Sequence, residues 1–229
     1  MKPPPAPGPL DEAPCAERLA AHAVTPGIAP RLHGYDVEGD LARHYGLSEM
    51  VLLALTGELP QGAAARAFEV AAAFLAPASV AEAPAHAAVL ARLCRARQSG
   101  VTGIASIALA EEAHTLVAEH AALLEWLRTP SGPAPATCRS TTQDERRSVA
   151  RLREALEPTG LSVPLLAEDP GRIPALIAVL HACGLDRKDQ IEIAMVLARL
   201  PAAMAEASAV RPGRFRDYPT NLPPFRYEE

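Results

Sequence analysis

Alternating runs of β-branched and polar residues are almost absent from this chain, while Ala and Leu recur at helical spacing from Asp40 to Ala209. A chain without period-2 patterning cannot lay one face of a sheet on a core, whereas Ala is the best helix former and Leu close behind. The sequence therefore predicts an all-α protein whose helices pack closely through Ala and Leu. With 229 residues, 49% apolar and 21% charged, it is ordinary folded material for one large domain or one large and one small lobe. Its longest apolar runs are broken by Arg, Glu, Pro or Gly well short of a membrane span. Met1-Lys2-Pro3-Pro4-Pro5 lacks the apolar stretch of a secretory leader, so the expectation is a cytoplasmic protein. A net charge of −5 argues against nucleic-acid binding. Cys15, Cys94, Cys138 and Cys183 have no paired spacing and read as scattered reduced thiols.

Pro and Ala mark residues 1–14 as a disordered tail. A short helix is expected over 15–22, and Ile28–Val37 reads as extended or turn-like. Asp40–Tyr45 predicts a short helix stopped by Gly46. Ser48 is the expected N-cap of Glu49–Leu55, closed by Gly57 and Pro60. Helices follow over Ala63–Leu75 and, with Pro84 in the first turn, Ala85–Cys94. The stretch 100–128 is the longest, with an apolar side too wide for a lone surface helix and a break expected near Glu111–His114. Residues 129–140 read as a linker or mobile loop separating 15–128 from 141–229, whose helices complete the same core. Those helices are Asp144–Leu156, ended by Pro158 and Gly160; Arg172–Cys183, stopped by Gly184; and 187–209, capped by Asp186. The tail carries Arg211, Arg214, Arg216 and Arg226 among prolines.

Glu111 and His114 make a Glu-x-x-His unit, the spacing of di-metal helical bundles, but a second copy is missing, so no metal is expected. His114 and His120 are six apart and face different sides of a helix. Nucleophile-elbow, P-loop and dinucleotide-binding motifs are absent. Arg199 stands inside an apolar helix and Arg211 shortly after it. Two guanidinium forks close together suit a di- or tricarboxylate. The alternative is that Arg199 pairs with a glutamate and residues 211–216 form a solvated basic tail.

Arg31-Leu-His-Gly-Tyr-Asp-Val-Glu-Gly-Asp-Leu41, followed by Ser48-Glu-Met-Val-Leu-Leu-Ala-Leu-Thr-Gly-Glu-Leu-Pro60, resembles the N-terminal signature of citrate synthases in order and spacing. Gly184-Leu-Asp186, Ala198-Arg-Leu-Pro201 and Arg211-Pro212 are similar to the closing helices and tail of that family. The resemblance implies a citrate-synthase-like large-domain helical bundle with most of the small domain missing, since members are considerably longer. It implies a dimer or a multiple of one, and a transferase that condenses oxaloacetate with an acyl-CoA thioester; relatives cleave citryl-CoA or make 2-methylcitrate. No cofactor is implied, a CoA thioester entering as substrate.

The family's chemistry uses two histidines and an aspartate. Its Gly-Pro-Leu-His-Gly motif is absent here, and His114 is the nearest counterpart. The Gly-x-Gly-His segment has no counterpart, and the 129–140 stretch stands about where it belongs. The base aspartate would fall near Arg172 or Ile173, with Asp169 a few residues early, and a carboxylate-binding histidine near Ala78. Arg199 and Arg211 match carboxylate-gripping positions. Each acid–base group contributes roughly 10²–10⁴-fold, so their loss removes most chemical acceleration. The expectation is a non-catalytic structural or regulatory subunit, paired with itself or with a full-length relative and inactive alone. The alternatives are a condensing enzyme or citryl-CoA lyase with a site rebuilt around His114 and Arg199, and a sensor that binds citrate or oxaloacetate through its arginines.

Overall fold

The computed structural model describes residues 20–212. It divides after Tyr45, not at the 129–140 stretch, into two compact units. Of the helix expected over 15–22, residues 15–19 lie outside the described residues and 20–22 are not helical.

The first unit, described from residue 20 to 45, is a small meander of two-residue strands, β1 (Val24–Thr25), β2 (Arg31–Leu32) and β3 (Tyr35–Asp36), antiparallel in that order. Leu32 pairs with Tyr35, so His33 and Gly34 form a two-residue turn, both with positive φ (47° and 87°). This is the backbone of a hairpin turn whose twist matches the strands it joins. The Asp36 carboxylate accepts from the N–H groups of Glu38 (3.1 Å) and Gly39 (2.7 Å). It thereby starts a π-helical turn, Val37–Leu41, that runs into the single turn α1 (Ala42–His44).

The second unit is helical: α2 (Leu47–Thr56), α3 (Ala64–Leu75), α4 (Ala83–Leu93), α5 (Gln98–Glu119), α6 (Ala121–Arg128), α7 (Gln143–Leu156), α8 (Arg172–Ala182) and α9 (Lys188–Ala209). Two caps differ from expectation. Helix α2 starts at Gly46, whose N–H donates to Glu49 Oε2 (2.6 Å); Ser48 is buried and donates its hydroxyl to Glu69 (2.8 Å). At α9 the cap position is Arg187, not Asp186, and its N–H donates to Gln190 Oε1 (3.0 Å). The 100–128 stretch breaks at His120, past the expected Glu111–His114. There φ is −110° and the carbonyl accepts from the N–H groups of Leu123 and Leu124, so a new helix starts at once.

The 129–140 stretch, expected as a linker or mobile loop, is a loop tied to the rest of the unit by hydrogen bonds. A 3₁₀ turn, Ala136–Cys138, buries Cys138, whose carbonyl accepts from Gly171 N–H (2.7 Å). Ser140 N–H donates to the Asp169 carbonyl (3.0 Å), and Trp126 Nε1 to that of Gly132 (3.3 Å). Asp169 itself has φ 48° and ends a 3₁₀ turn, Pro164–Glu168.

Two cores result. The larger joins α2, α3, the end of α5, α6, α7, α8 and part of α9 around fully buried Leu176, Ile177, Leu180 and Leu185, with residues from both sides of the 129–140 loop. Burying each such side chain contributes roughly 1.5–3 kcal/mol. The smaller is built from Ala85 and Ala88 of α4, Val101 and Ala105 of α5, and Ala203 and Ala207 of α9. Small side chains let these three helices approach closely. Helices α5 and α9 run antiparallel: Thr102 Oγ1 meets Met204 Sδ at one end (3.4 Å) and His114 meets Glu192 at the other (3.2 Å). Among the described residues no helix is long and apolar enough to cross a membrane.

Candidate functional site

Between the two cores lies a cavity of about 190 Å³. Helix α5 presents Leu109, Glu112, Ala113 and Leu116 to it, the i, i+3, i+4, i+7 face of one helix; α9 presents Met195 and Arg199, and α8 its first residues, Arg172 and Ile173. The end of α3 and the loop after it contribute Leu75, Pro77 and Glu82.

Arg199 is the polar centre. Its side chain is 11% exposed, and its two terminal nitrogens engage two carboxylates. One donates to Glu82 Oε2; the other lies 2.7 Å from Glu112 Oε2 without the alignment of a hydrogen bond. Arg199 thus lines an inter-helix cleft and pairs there with two glutamates, while the second fork expected beside it, that of Arg211, is not in the lining. Arg172 donates to the Phe74 carbonyl (2.6 Å), while its Nε is buried with no hydrogen-bond partner. Its backbone N–H donates to Glu145, a carboxylate raised by burial but lowered overall by hydrogen bonds from Thr141, Ser140, Arg172 and Thr142. Two arginines and two glutamates leave the lining with no net charge.

The other sequence-predicted residues stand elsewhere. His114 projects outside the cavity lining and is mostly exposed, with Nδ1 3.2 Å from Glu192, which also meets Lys188 (3.5 Å). Arg211 is exposed two residues past the end of α9 and is not in the lining. Asp169 holds the loop end described above. Ala78 lies in the α3–α4 loop that carries Glu82. Glu111 and His114 form no cluster of three or more metal-binding side chains among the described residues. Burial lowers the pKa of His120, with Glu119 and the Leu116 backbone opposing it. It pushes the Cys183 thiol up to about 12, so this cysteine is inert core.

Sequence reasoning missed Glu82, Glu112 and Arg172 as lining residues. Glu112 carried a signal, lying between Leu109 and Leu116 on the apolar side of its helix; Arg172 did too, filling the place where the resemblance puts an aspartate. Glu82 carried none, because its approach to Arg199 spans 117 positions.

No protein-family model matches this chain, and no curated protein matches it by sequence. Solved structures do match. Citryl-CoA lyase from Hydrogenobacter thermophilus superposes with a TM-score of 0.65 at 17% identity, over 92% of this chain and 97% of the lyase chain. The chain has a citrate-synthase-like fold. A point mutant of Methanosaeta concilii ATP citrate lyase, in complex with (3S)-citryl-CoA, matches with a TM-score of 0.59 at 12% identity. That match covers 96% of this chain but 43% of the longer one. At these identities the likeness is one of fold. The citrate-synthase-like fold agrees with the resemblance read in Arg31–Leu41 and Ser48–Pro60, and it places the Arg199 cavity inside a helical body of known type.

Proposed function

We propose that this protein is a citrate-synthase/lyase-like subunit without catalysis of its own, which keeps its cavity as a regulatory site for a small carboxylic acid. The observation that carries this reading is the Arg199 cavity. Its titratable lining residues are Glu82, Glu112, Arg172 and Arg199; histidine and aspartate are not among them. Carbon–carbon condensation or cleavage needs a group that takes a proton and groups that hold the developing enolate. Both glutamates of the lining are engaged by the Arg199 guanidinium, and a cation at position 172 stands where the resemblance calls for a carboxylate. Arg199 retains the fork geometry that suits a carboxylate, and Arg172 has an unused donor. The partner is a second copy or a longer relative. Ile104 and Ile107, three apart on one side of α5, are exposed large apolar residues, a helix face suited to a helical partner. The test is turnover of citryl-CoA, and of acetyl-CoA with oxaloacetate, by the purified chain alone and mixed with a full-length relative. A kcat of about 1 s⁻¹ for the chain alone overturns the proposal.

A second reading is favoured by the 97% coverage of the Hydrogenobacter chain, because a protein of this length carries the name citryl-CoA lyase. In that reading Glu112 takes the proton of the substrate's tertiary hydroxyl. The carbon–carbon bond then breaks to oxaloacetate and the enolate of acetyl-CoA, which takes up a proton, while Arg199 holds the acid. Loss of turnover in Glu112→Gln with unchanged binding supports it; absence of turnover in the wild-type chain ends it.

A further inference from the structure

The two carboxylates on Arg199 are not equivalent. Glu112 stands mid-helix, one turn from Leu109 and one from Leu116; the Oε2 it turns to Arg199 is buried and lacks hydrogen-bond alignment, though its side chain is 32% exposed. Glu82 is the last residue before α4 and the one that accepts a hydrogen bond from the guanidinium. Its side chain is 40% exposed against 11% for Arg199. The loop that carries it is held by its own bonds: Glu82 N–H donates to the Ser79 carbonyl (2.9 Å), Ala81 N–H to Ser79 Oγ (3.1 Å), and His86 Nδ1 lies 3.2 Å from the Val80 carbonyl. The backbone is therefore set, and rotation of the Glu82 side chain alone moves its carboxylate into water, where its solvation is recovered. Arg199 has no such exit.

We propose that Glu82 is a built-in occupant of the Arg199 fork, a latch that a ligand carboxylate must displace. The inference rests on the carboxylate-binding part of the proposed function and adds the regulation of that site. With Glu82 in place the cavity is neutral and the fork is taken. With Glu82 turned out, Arg172 and Arg199 face Glu112 alone, and the site carries one net positive charge for a small acid. Affinity is then set by a competition between an internal carboxylate and an external one, so the site responds only at high ligand concentration, and any partner contact that draws Glu82 outward raises its affinity.

Calorimetric titration of citrate at fixed ionic strength tests this on the wild type, Glu82→Gln, Glu82→Ala, Glu112→Gln and Arg199→Ala, each with a melting curve to confirm folding. Both Glu82 variants are expected to bind citrate about two- to fivefold tighter, the order set by no longer having to break a partly exposed ion pair. Glu112→Gln gains less, and Arg199→Ala does not bind. Equal gains for the Glu82 and Glu112 variants would show a general field effect and overturn the latch. So would wild-type binding that the Glu82 variants fail to improve, a result that leaves carboxylate binding intact. No binding of millimolar citrate by the wild type or by either Glu82 variant overturns the carboxylate site and the latch together.

Discussion

The two cores solve the same packing problem with different side chains. Around α8, large residues fill the space: Leu176, Ile177, Leu180 and Leu185 are all fully buried. Where α4, α5 and α9 meet, the buried residues are almost all alanine, and the larger Ile104, Ile107, Ile193 and Leu197 of α5 and α9 are exposed. One core is held by volume, the other by close approach of helix backbones. The cavity sits at the seam, where α5 and α9 leave the alanine packet and meet Ile173 and Leu176 of α8. Close approach positions Arg199 and Glu112 on facing helices, and the bulky side keeps the floor apolar. Dense packing on both sides with an opening at the seam between them is what a small polar site of this kind requires.

The comparison breaks if the two cores respond alike to changes of volume. Leu180→Ala, in the bulky core and away from the cavity, is expected to cost about 2–5 kcal/mol through lost burial and the void left behind. Ala105→Leu, in the packet, is expected to cost about 1–3 kcal/mol because a closely spaced helix pair cannot make room. Urea unfolding of both variants gives the numbers. A neutral Ala105→Leu means that α4, α5 and α9 are not closely packed, and the packet description fails.

A smaller effect sharpens the account of the seam. Arg199→Met keeps the length of the side chain but leaves Glu82 and Glu112 without their cation. A fully buried pair broken in this way costs several kcal/mol, but both glutamates reach solvent, so about 1 kcal/mol is expected. Glu82→Gln added to Arg199→Met then recovers part of the loss. Additive losses in the double variant would show that the two side chains are not coupled.

The helical body was legible because it follows from local signals. Gly57, with φ 83° and its N–H on the Leu53 carbonyl, ends α2 as its position suggested, and Pro84 sits in the first turn of α4. The errors have physical causes. Ser48 is a good N-cap residue, but Glu49 reaching back to Gly46 set the helix start and left Ser48 free to bond Glu69. The Pro- and Gly-rich 129–140 stretch reads as a linker by composition; only its long-range bonds to Asp169 and Gly171 fix it. The site was half legible. Arg199 stood out as a cation on an apolar helix, while its partners Glu82 and Glu112 come from segments that only tertiary packing brings near. His114, chosen for its motif position, faces out beside Glu192.

The smallest expected effect concerns pH, and it separates the histidines from the carboxylates. Burial lowers the pKa of His181, with Asp186 opposing and Arg128 adding to it, and burial likewise lowers that of His120. For a base lowered in the folded state, both states are neutral above the unfolded value near 6.5, and the contribution to stability is complete there. As pH falls below 6.5 the unfolded chain takes up the proton first, so stability drops until the folded pKa is passed. The melting temperature should therefore begin to fall between pH 7 and pH 5.5, before any carboxylate titrates. Glu69, lowered by its hydrogen bonds from Arg66 and Ser48, and Asp189, lowered by Arg187, lose their contribution in a separate window, below their ordinary values near 4.5 and 3.8. His181→Gln should shrink the fall in the upper window to the share of His120 and leave the lower window unchanged. A wild-type melting temperature that stays level from pH 7 to 5.5 would mean that the two imidazoles are as well solvated in the folded chain as in the unfolded one. The α6 and α8 surfaces around His181 would then be looser than the bulky core they border.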